Sequence, residues 1–187
     1  GVLLARIVLK EHPEGTVVAD IRSTKTLDDE ITRLGGTIVR QRVGHTHIRT
    51  KMRELNAVLG VELSGHFFFR STAFSEGGPL PAFLIMELLK REQRPLSELV
   101  HDVTTYVHSG EINSSISRTP DAIYEEIIAA YPNAEINRLD GLTLTGHDWW
   151  CNIRPSANDP VLRLNLEADT KQQMEQKRDS ILSIIRS

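Results

Sequence analysis

The apolar positions change period repeatedly along the chain. Leu3, Leu4, Ile7 and Val8 share one helical face from the very first residues, which suggests that the sequence starts inside a larger protein. Residues 16–20 form a β-branched run and predict a buried strand. Residues 28–34 predict a helix that Gly35-Gly36 ends, as glycines commonly do. A second strand is expected at 37–39 and a helix at 47–55. Two further apolar runs, 57–62 and 66–69, flank the turn Ser64-Gly65, and 80–90 predicts a strongly amphipathic helix. This alternation predicts an α/β layered domain with parallel strand pairing.

The rhythm then changes. Residues 91–95 are polar and end in proline, so the expected domains are 1–95 and 96–187. Pro95 opens a helix from Leu96, because proline is tolerated in a first helical turn. Residues 106–117 alternate like a strand, and Thr119-Pro120-Asp121 starts a helix reaching about Tyr131. Three extended stretches follow, at 135–139, 142–153 and 161–168. Asp169-Thr170 resembles an N-cap for a last helix. The order β-α-β-β-β-α predicts an α+β domain with an antiparallel sheet backed by helices.

Composition narrows the function classes. Across 187 residues the hydrophobic share is 40%, the charged share 25% and the net charge −3, ordinary for a globular protein and without the basic excess of a nucleic-acid-binding surface. No apolar run is long enough to cross a bilayer, so no membrane partner is expected. Cys151 is the single cysteine and has no internal partner; a lone thiol suits a reducing, cytoplasmic setting.

Three stretches carry chemistry. Residues 152–163 lie between two apolar strands and include Arg154, Ser156, Ala157 and Asn158. Arginine binds phosphate oxygens as a fork, and consecutive backbone N–H groups in a tight turn form an anion nest. By itself this composition is also that of an ordinary turn with Arg154 in a salt bridge. In the second stretch, Gly60 to His66, the polar side chains Glu62, Ser64 and His66 alternate along an extended segment and can face one side. A carboxylate there can bridge two neighbouring sugar hydroxyls; a β-turn with exposed polar residues is the plainer alternative. In the third, His45 and His47 suggest metal, with His66 as a third ligand, but no local Cys, Asp or Glu completes a set. Ser64 lacks the glycine-flanked nucleophile elbow, and Gly35-Gly36 opens no nucleotide-binding fingerprint.

Asp20-Ile21-Arg22-Ser23-Thr24, Val43-Gly44-His45, Gly60 to His66 and Arg154-Pro155-Ser156, in this order and spacing, resemble the last two of the four domains of the α-D-phosphohexomutases, the family of phosphomannomutases and phosphoglucomutases. The resemblance implies that Glu62 and Ser64 hold the 3- and 4-hydroxyls of a hexose and that His66 and Arg22 bind the same sugar. It implies that Arg154, Ser156, Ala157 and Asn158 bind the phosphate that is not reacting. His45 would be a proton shuttle or a simple hydroxyl or phosphate contact. The family interconverts hexose 6- and 1-phosphates through a bisphosphate, using a phosphoserine and Mg2+ held by its first two domains. No cofactor is therefore expected on these residues, Mg2+ is expected in the remainder of the parent enzyme, and the chain alone is expected to be inactive. Two departures stand out: Arg22 replaces the family's usual lysine, and Ala157-Asn158 alters the phosphate loop. A stand-alone phosphosugar-binding module without catalysis is the alternative.

Overall fold

The computed structural model describes residues 1–156 and 159–187. The first of two units, Gly1–Thr105, contains α1 (Val2–Glu11), β1 (Thr16–Asp20), α2 (Lys25–Arg33), β2 (Thr37–Gln41), α3 (His45–Leu55), β3 (Leu59–Val61), β4 (Phe67–Phe69), β5 (Ser75–Glu76), α4 (Leu80–Glu92) and α5 (Leu96–Val103). Its sheet runs β2-β1-β3-β4-β5. β1 pairs in parallel with both β2 and β3, as expected, whereas β4 and β5 add on antiparallel. The connection from β3 to β4 is the short turn at Ser64-Gly65, and a parallel pair would need a crossover of a dozen residues.

Side chains of β1 alternate between two cores. Val17 and Ala19 pack with α1 and α2 through Leu4, Leu9, Leu27 and Ile31, while Val18 packs with Ile48 and Met52 of α3. The helix α2 begins at Lys25, before the expected residue 28, because the Thr24 hydroxyl caps it by accepting from the Thr26 amide. In α4 the residues Leu80, Leu84, Ile85 and Leu88 pack inward, and Phe83 and Met86 stand exposed.

The boundary differs from the one expected after residue 95. It falls between Thr105 and Tyr106 because α5 belongs to the first core: Leu99 is buried with Leu3 of α1 and Leu88 of α4. The polar stretch 91–95 ends α4 and turns directly into α5 rather than forming a linker, and Arg94 within it donates to Glu98 and Asp102 of α5.

The second unit, Tyr106–Ser187, contains β6 (Val107–His108), β7 (Ile112–Ser115), α6 (Pro120–Ala130), β8 (Glu135–Asn137), β9 (Leu142–Thr145), β10 (Trp149–Pro155), β11 (Val161–Ala168) and α7 (Lys171–Ile185). Its strands pair antiparallel in the order β6-β11-β10-β9-β8, with β7 also on β11. Two expected strands are each divided. Gly110, at φ +71°, interrupts 106–117 into β6 and β7, and 142–153 folds into the β9–β10 hairpin, closed by the Gly146 amide donating to the Trp149 carbonyl. Leu142, Leu144, Cys151, Ile153, Leu162, Leu164 and Leu166 alternate onto the face that packs with Ile123 and Ile127 of α6 and Ile181 and Ile185 of α7. Thr143, Asn152, Arg154, Arg163 and Asn165 therefore fall on the opposite face. No helix among the described residues is long and apolar enough to cross a membrane.

Candidate functional site

In the first unit three of the singled-out motifs occupy equivalent places. Asp20-Ile21-Arg22 follows from the end of β1, Val43-Gly44-His45 follows β2, and Glu62 to His66 follows β3. These are the carboxyl ends of neighbouring parallel strands, where open α/β sheets place their ligand sites. The backbone sets each turn. Gly44 takes φ +121° ahead of α3, which puts His45 in the first helical position with its side chain exposed. In the hairpin loop the Glu62 amide donates to the His66 carbonyl at 3.0 Å, and Gly65, at φ +86°, donates back to the Glu62 carbonyl at 3.0 Å.

Hydrogen bonds join these turns. The Glu62 side chain is buried, and its Oε1 accepts from the Gly44 amide at 3.1 Å. The Ser64 hydroxyl approaches Glu62 Oε2 at 3.4 Å and His66 Nδ1 at 2.9 Å. Arg22 is 8% exposed, and its Nη2 donates at 2.7 Å to Asp20 Oδ2, so its guanidinium faces a carboxylate within the fold. Arg40 reaches over from β2 and donates to the carbonyls of Asp20, Ser23 and Thr24, with an ion pair to Asp28, which staples the turn bearing Arg22. Arg22, Glu62, Ser64, His66 and the His45 turn thus form one connected patch. His47 is exposed one helical step away, on α3. The Ser64–His66 contact is not a nucleophile and its base: Glu76 Oε1 stands 3.9 Å from His66 Nε2, too far to orient the ring, and all three side chains are exposed.

In the second unit Arg154 is the penultimate residue of β10, directly before the loop. Gly141 passes against it at φ +71°; a β-carbon there would stand 2.7 Å from Arg154 Cβ and 2.3 Å from the Ile153 carbonyl oxygen. The fully buried Asn152 donates to the Asp140 carbonyl and the Thr143 hydroxyl, which holds this crossing in place. Ser156 donates its amide to the Val161 carbonyl and its hydroxyl reaches Asp159 at 3.4 Å. Ala157 and Asn158, expected to line the phosphate loop, lie outside the described residues.

Sequence reasoning left Arg163 out of the site. It stands directly opposite Arg154 in the β10–β11 register; its Nη2 donates to the Ser156 hydroxyl at 3.1 Å and its Nη1 to Glu111 at 3.1 Å. Like charges at opposed positions destabilise a sheet, so two guanidiniums here, one tethered by Glu111, concentrate positive charge at the mouth of the hairpin. Hairpin symmetry is the signal that points to it: once Pro155 faces Leu162, Arg154 must face Arg163.

Among the described residues no group of three or more His, Cys, Asp or Glu side chains comes together to hold a metal. Among them, His45, His47 and His66 do not form a ligand set.

Residues 1–106 match the phosphoglucomutase/phosphomannomutase α/β/α domain III, and residues 113–184 match the C-terminal domain of the same family. The phosphomannomutase of Methanocaldococcus jannaschii is 35% identical over 183 residues, which cover 98% of this chain and 40% of the relative. The phosphomannomutase of Escherichia coli is 36% identical over 168 residues, covering 89% of this chain and 37% of the relative. The chain thus spans about 40% of the length of the curated relatives it matches. Among solved structures, a phosphoglucomutase/phosphomannomutase family protein from Burkholderia thailandensis superposes with a TM-score of 0.79 at 24% identity, covering 98% of this chain and 40% of that one. An Aspergillus fumigatus N-acetylphosphoglucosamine mutase, solved with GlcNAc-6P and magnesium, superposes at 0.67 with 11% identity, covering 100% of this chain and 46% of that one. With both matched domains in order along the chain, it belongs to the phosphoglucomutase/phosphomannomutase family, as that family's domain III followed by its C-terminal domain.

Proposed function

We propose that this chain supplies the ligand-holding domains of a phosphohexomutase, an enzyme that interconverts hexose 6-phosphate and hexose 1-phosphate through a bisphosphate. The first unit takes the sugar hydroxyls with Glu62 and Ser64, helped by His66 and Arg22. The second takes the non-reacting phosphate with Arg154, Ser156, Ala157 and Asn158, and Arg163 adds a second guanidinium there. The reading carries with it a cytoplasmic location.

The observation that carries it is the Glu62 carboxylate. It is anchored by the Gly44 amide, yet a carboxylate has about four acceptor positions, so capacity remains for two neighbouring hydroxyls. A pair of vicinal hydroxyls looks alike from either direction, which suits a sugar that must bind with either phosphate in the clamp. The opposed Arg154 and Arg163 support a site for a dianionic group, since arginine forks match phosphate oxygens. Phosphoryl transfer depends mainly on positioning and on stabilising charge around the moving group, and this chain contributes the positioning. His45, exposed at the first turn of α3, is a hydroxyl contact or proton shuttle in the same reading. Magnesium would supply electrostatic stabilisation from elsewhere in the enzyme; no step assigned to these residues runs through it.

Calorimetric titration of the chain with mannose 6-phosphate, glucose 6-phosphate and inorganic phosphate tests the proposal. Both hexose phosphates should bind more tightly than phosphate alone. Arg154→Ala should weaken all three by about tenfold or more, the loss expected when a charged hydrogen bond is removed. Equal affinity of wild type and Arg154→Ala would remove the clamp assignment.

A further inference from the structure

The hydrogen bonds of the first unit converge on one residue with no place in the assignments above. Asp20, the last residue of β1, is fully buried. Its Oδ1 accepts from the Arg22 amide at 3.0 Å and the Ser23 hydroxyl at 3.1 Å. Its Oδ2 accepts from Arg22 Nη2 at 2.7 Å and from the Leu63 amide at 3.1 Å. The first three bonds lie within one turn. The fourth crosses to the loop after β3, between Glu62 and Ser64. A carboxylate without water needs such partners, because an uncompensated buried charge is costly. The four donors satisfy it, and in doing so they fix two loops to one another.

We propose that Asp20 is a positioning residue for sugar recognition: its carboxylate locks the Arg22 guanidinium and the Glu62–His66 loop into one rigid recognition surface. The inference rests on the sugar-binding role proposed for that loop. The link extends further, since Glu62 holds the Gly44 amide in the turn between β2 and α3. Asp20 is thus the hub between the turns that follow all three parallel strands. Both oxygens accept, and Oδ2 accepts from two loops at once. An asparagine has the same shape but replaces one oxygen with an NH2 group, so in either orientation one pair of donors loses its acceptor, Arg22 Nη2 with the Leu63 amide or the Arg22 amide with the Ser23 hydroxyl, and the charge facing the guanidinium is gone. Leu63 shows the link most plainly. Its side chain is 47% exposed, yet its amide is held by a buried acceptor.

The experiment compares Asp20→Asn with wild type and with Ile31→Ala, an apolar core change on α2 in the same unit. Mannose 6-phosphate and inorganic phosphate are titrated into each, and exchange of the Leu63 amide is followed by NMR. Asp20→Asn should weaken mannose 6-phosphate binding by about tenfold, the loss expected for hydrogen bonds to a charged group. Binding of inorganic phosphate, which depends on the second unit, should be unchanged. The Leu63 amide should lose its protection. Ile31→Ala should lower the melting temperature while leaving both affinities and the Leu63 protection intact. Wild-type mannose 6-phosphate affinity in Asp20→Asn overturns the proposal. Equal losses in Asp20→Asn and Ile31→Ala also overturn it, since they would reflect stability alone. If wild type binds no hexose phosphate, the function proposed above fails instead, and Leu63 protection still reports the link. If Asp20→Asn does not fold, the wild-type Leu63 amide decides: exchange as fast as in an unstructured peptide overturns the link.

Discussion

Glu30 of α2 lies between two guanidiniums. Arg33 donates to it at 2.6 and 3.0 Å, and Arg6 of α1 donates from the other side, tying two helices together. The hydrogen bonds from Arg33 are the largest influence on its carboxyl, and with Arg6 they outweigh burial and hold its pKa at about 2. Because the folded-state value lies below the ordinary one, the pair stabilises the fold fully above pH 4.5, and that contribution fades as pH falls through 2. A shift of this size corresponds to about 3 kcal/mol, but both arginines are open to solvent, so about 1–2 kcal/mol is expected. Glu30→Gln should therefore be less stable than wild type by that amount in urea unfolding at pH 7, and most of the gap should close by pH 3. A constant gap would mean that packing, not charge, holds α1 to α2. The site shows the same division between chemistry and context. Arg154 and Glu62 could be singled out in the sequence only through the order of the four motifs, since each stretch by itself also reads as an ordinary turn. Asp20 and Arg163 were not singled out: burial marks the one and strand register the other, and neither property is written in a residue type.

At the scale of elements, β3 shows how packing sets the site. A β-carbon on Gly60 would stand 2.5 Å from the Met52 sulfur and 2.8 Å from Ile48 Cγ2, so α3 lies directly on the strand. Gly60→Ala overfills this contact and should destabilise the chain by about 1–3 kcal/mol in chemical denaturation. It should also weaken hexose phosphate binding, because Glu62 and the helix start at His45 are displaced together. A variant as stable as wild type would show that Met52 swings aside at no cost. The helices and the strands β1 and β2 were legible from their apolar pattern, whereas β3, three residues long, was read only as part of an apolar run. The two antiparallel strands were less so: β4 is one apolar tripeptide, and β5 is two exposed residues with no periodicity of their own. The division of 106–117 was hidden for a related reason, since both pieces pair with the same strand β11, and the one-residue shift of register across Gly110 leaves two short apolar alternations that read as one. The misplaced domain boundary came from reading a polar, proline-ended stretch as a linker, when the apolar side of α5 had already committed it to the first core.

At the scale of the whole chain, binding and turnover should separate. Each unit has its own buried core and one of the two loops proposed to hold ligand. Transfer of a phosphoryl group also needs a donor and an activated acceptor. The one thiol, Cys151, is sealed in β10, and burial pushes its pKa up to about 12, so it cannot serve as a nucleophile at neutral pH. Ser64 is exposed beside His66, and Glu62 at 3.7 Å and Glu76 at 3.9 Å both stand beyond hydrogen-bond reach of that imidazole. The 187 residues should therefore bind a hexose phosphate without converting it. A ligand that binds only the folded chain stabilises it by about 2.7 kcal/mol at a hundred times its Kd. For a chain of this length that is a rise in melting temperature of roughly 5–10 °C. Mannose 6-phosphate should produce such a rise, inorganic phosphate a smaller one and unphosphorylated mannose the least, because the phosphate contributes the charged contacts. No mannose 1-phosphate should appear on prolonged incubation with Mg2+. A melting temperature unmoved by mannose 6-phosphate would contradict the binding role, and accumulation of mannose 1-phosphate would show that a phosphoryl donor lies within these residues after all.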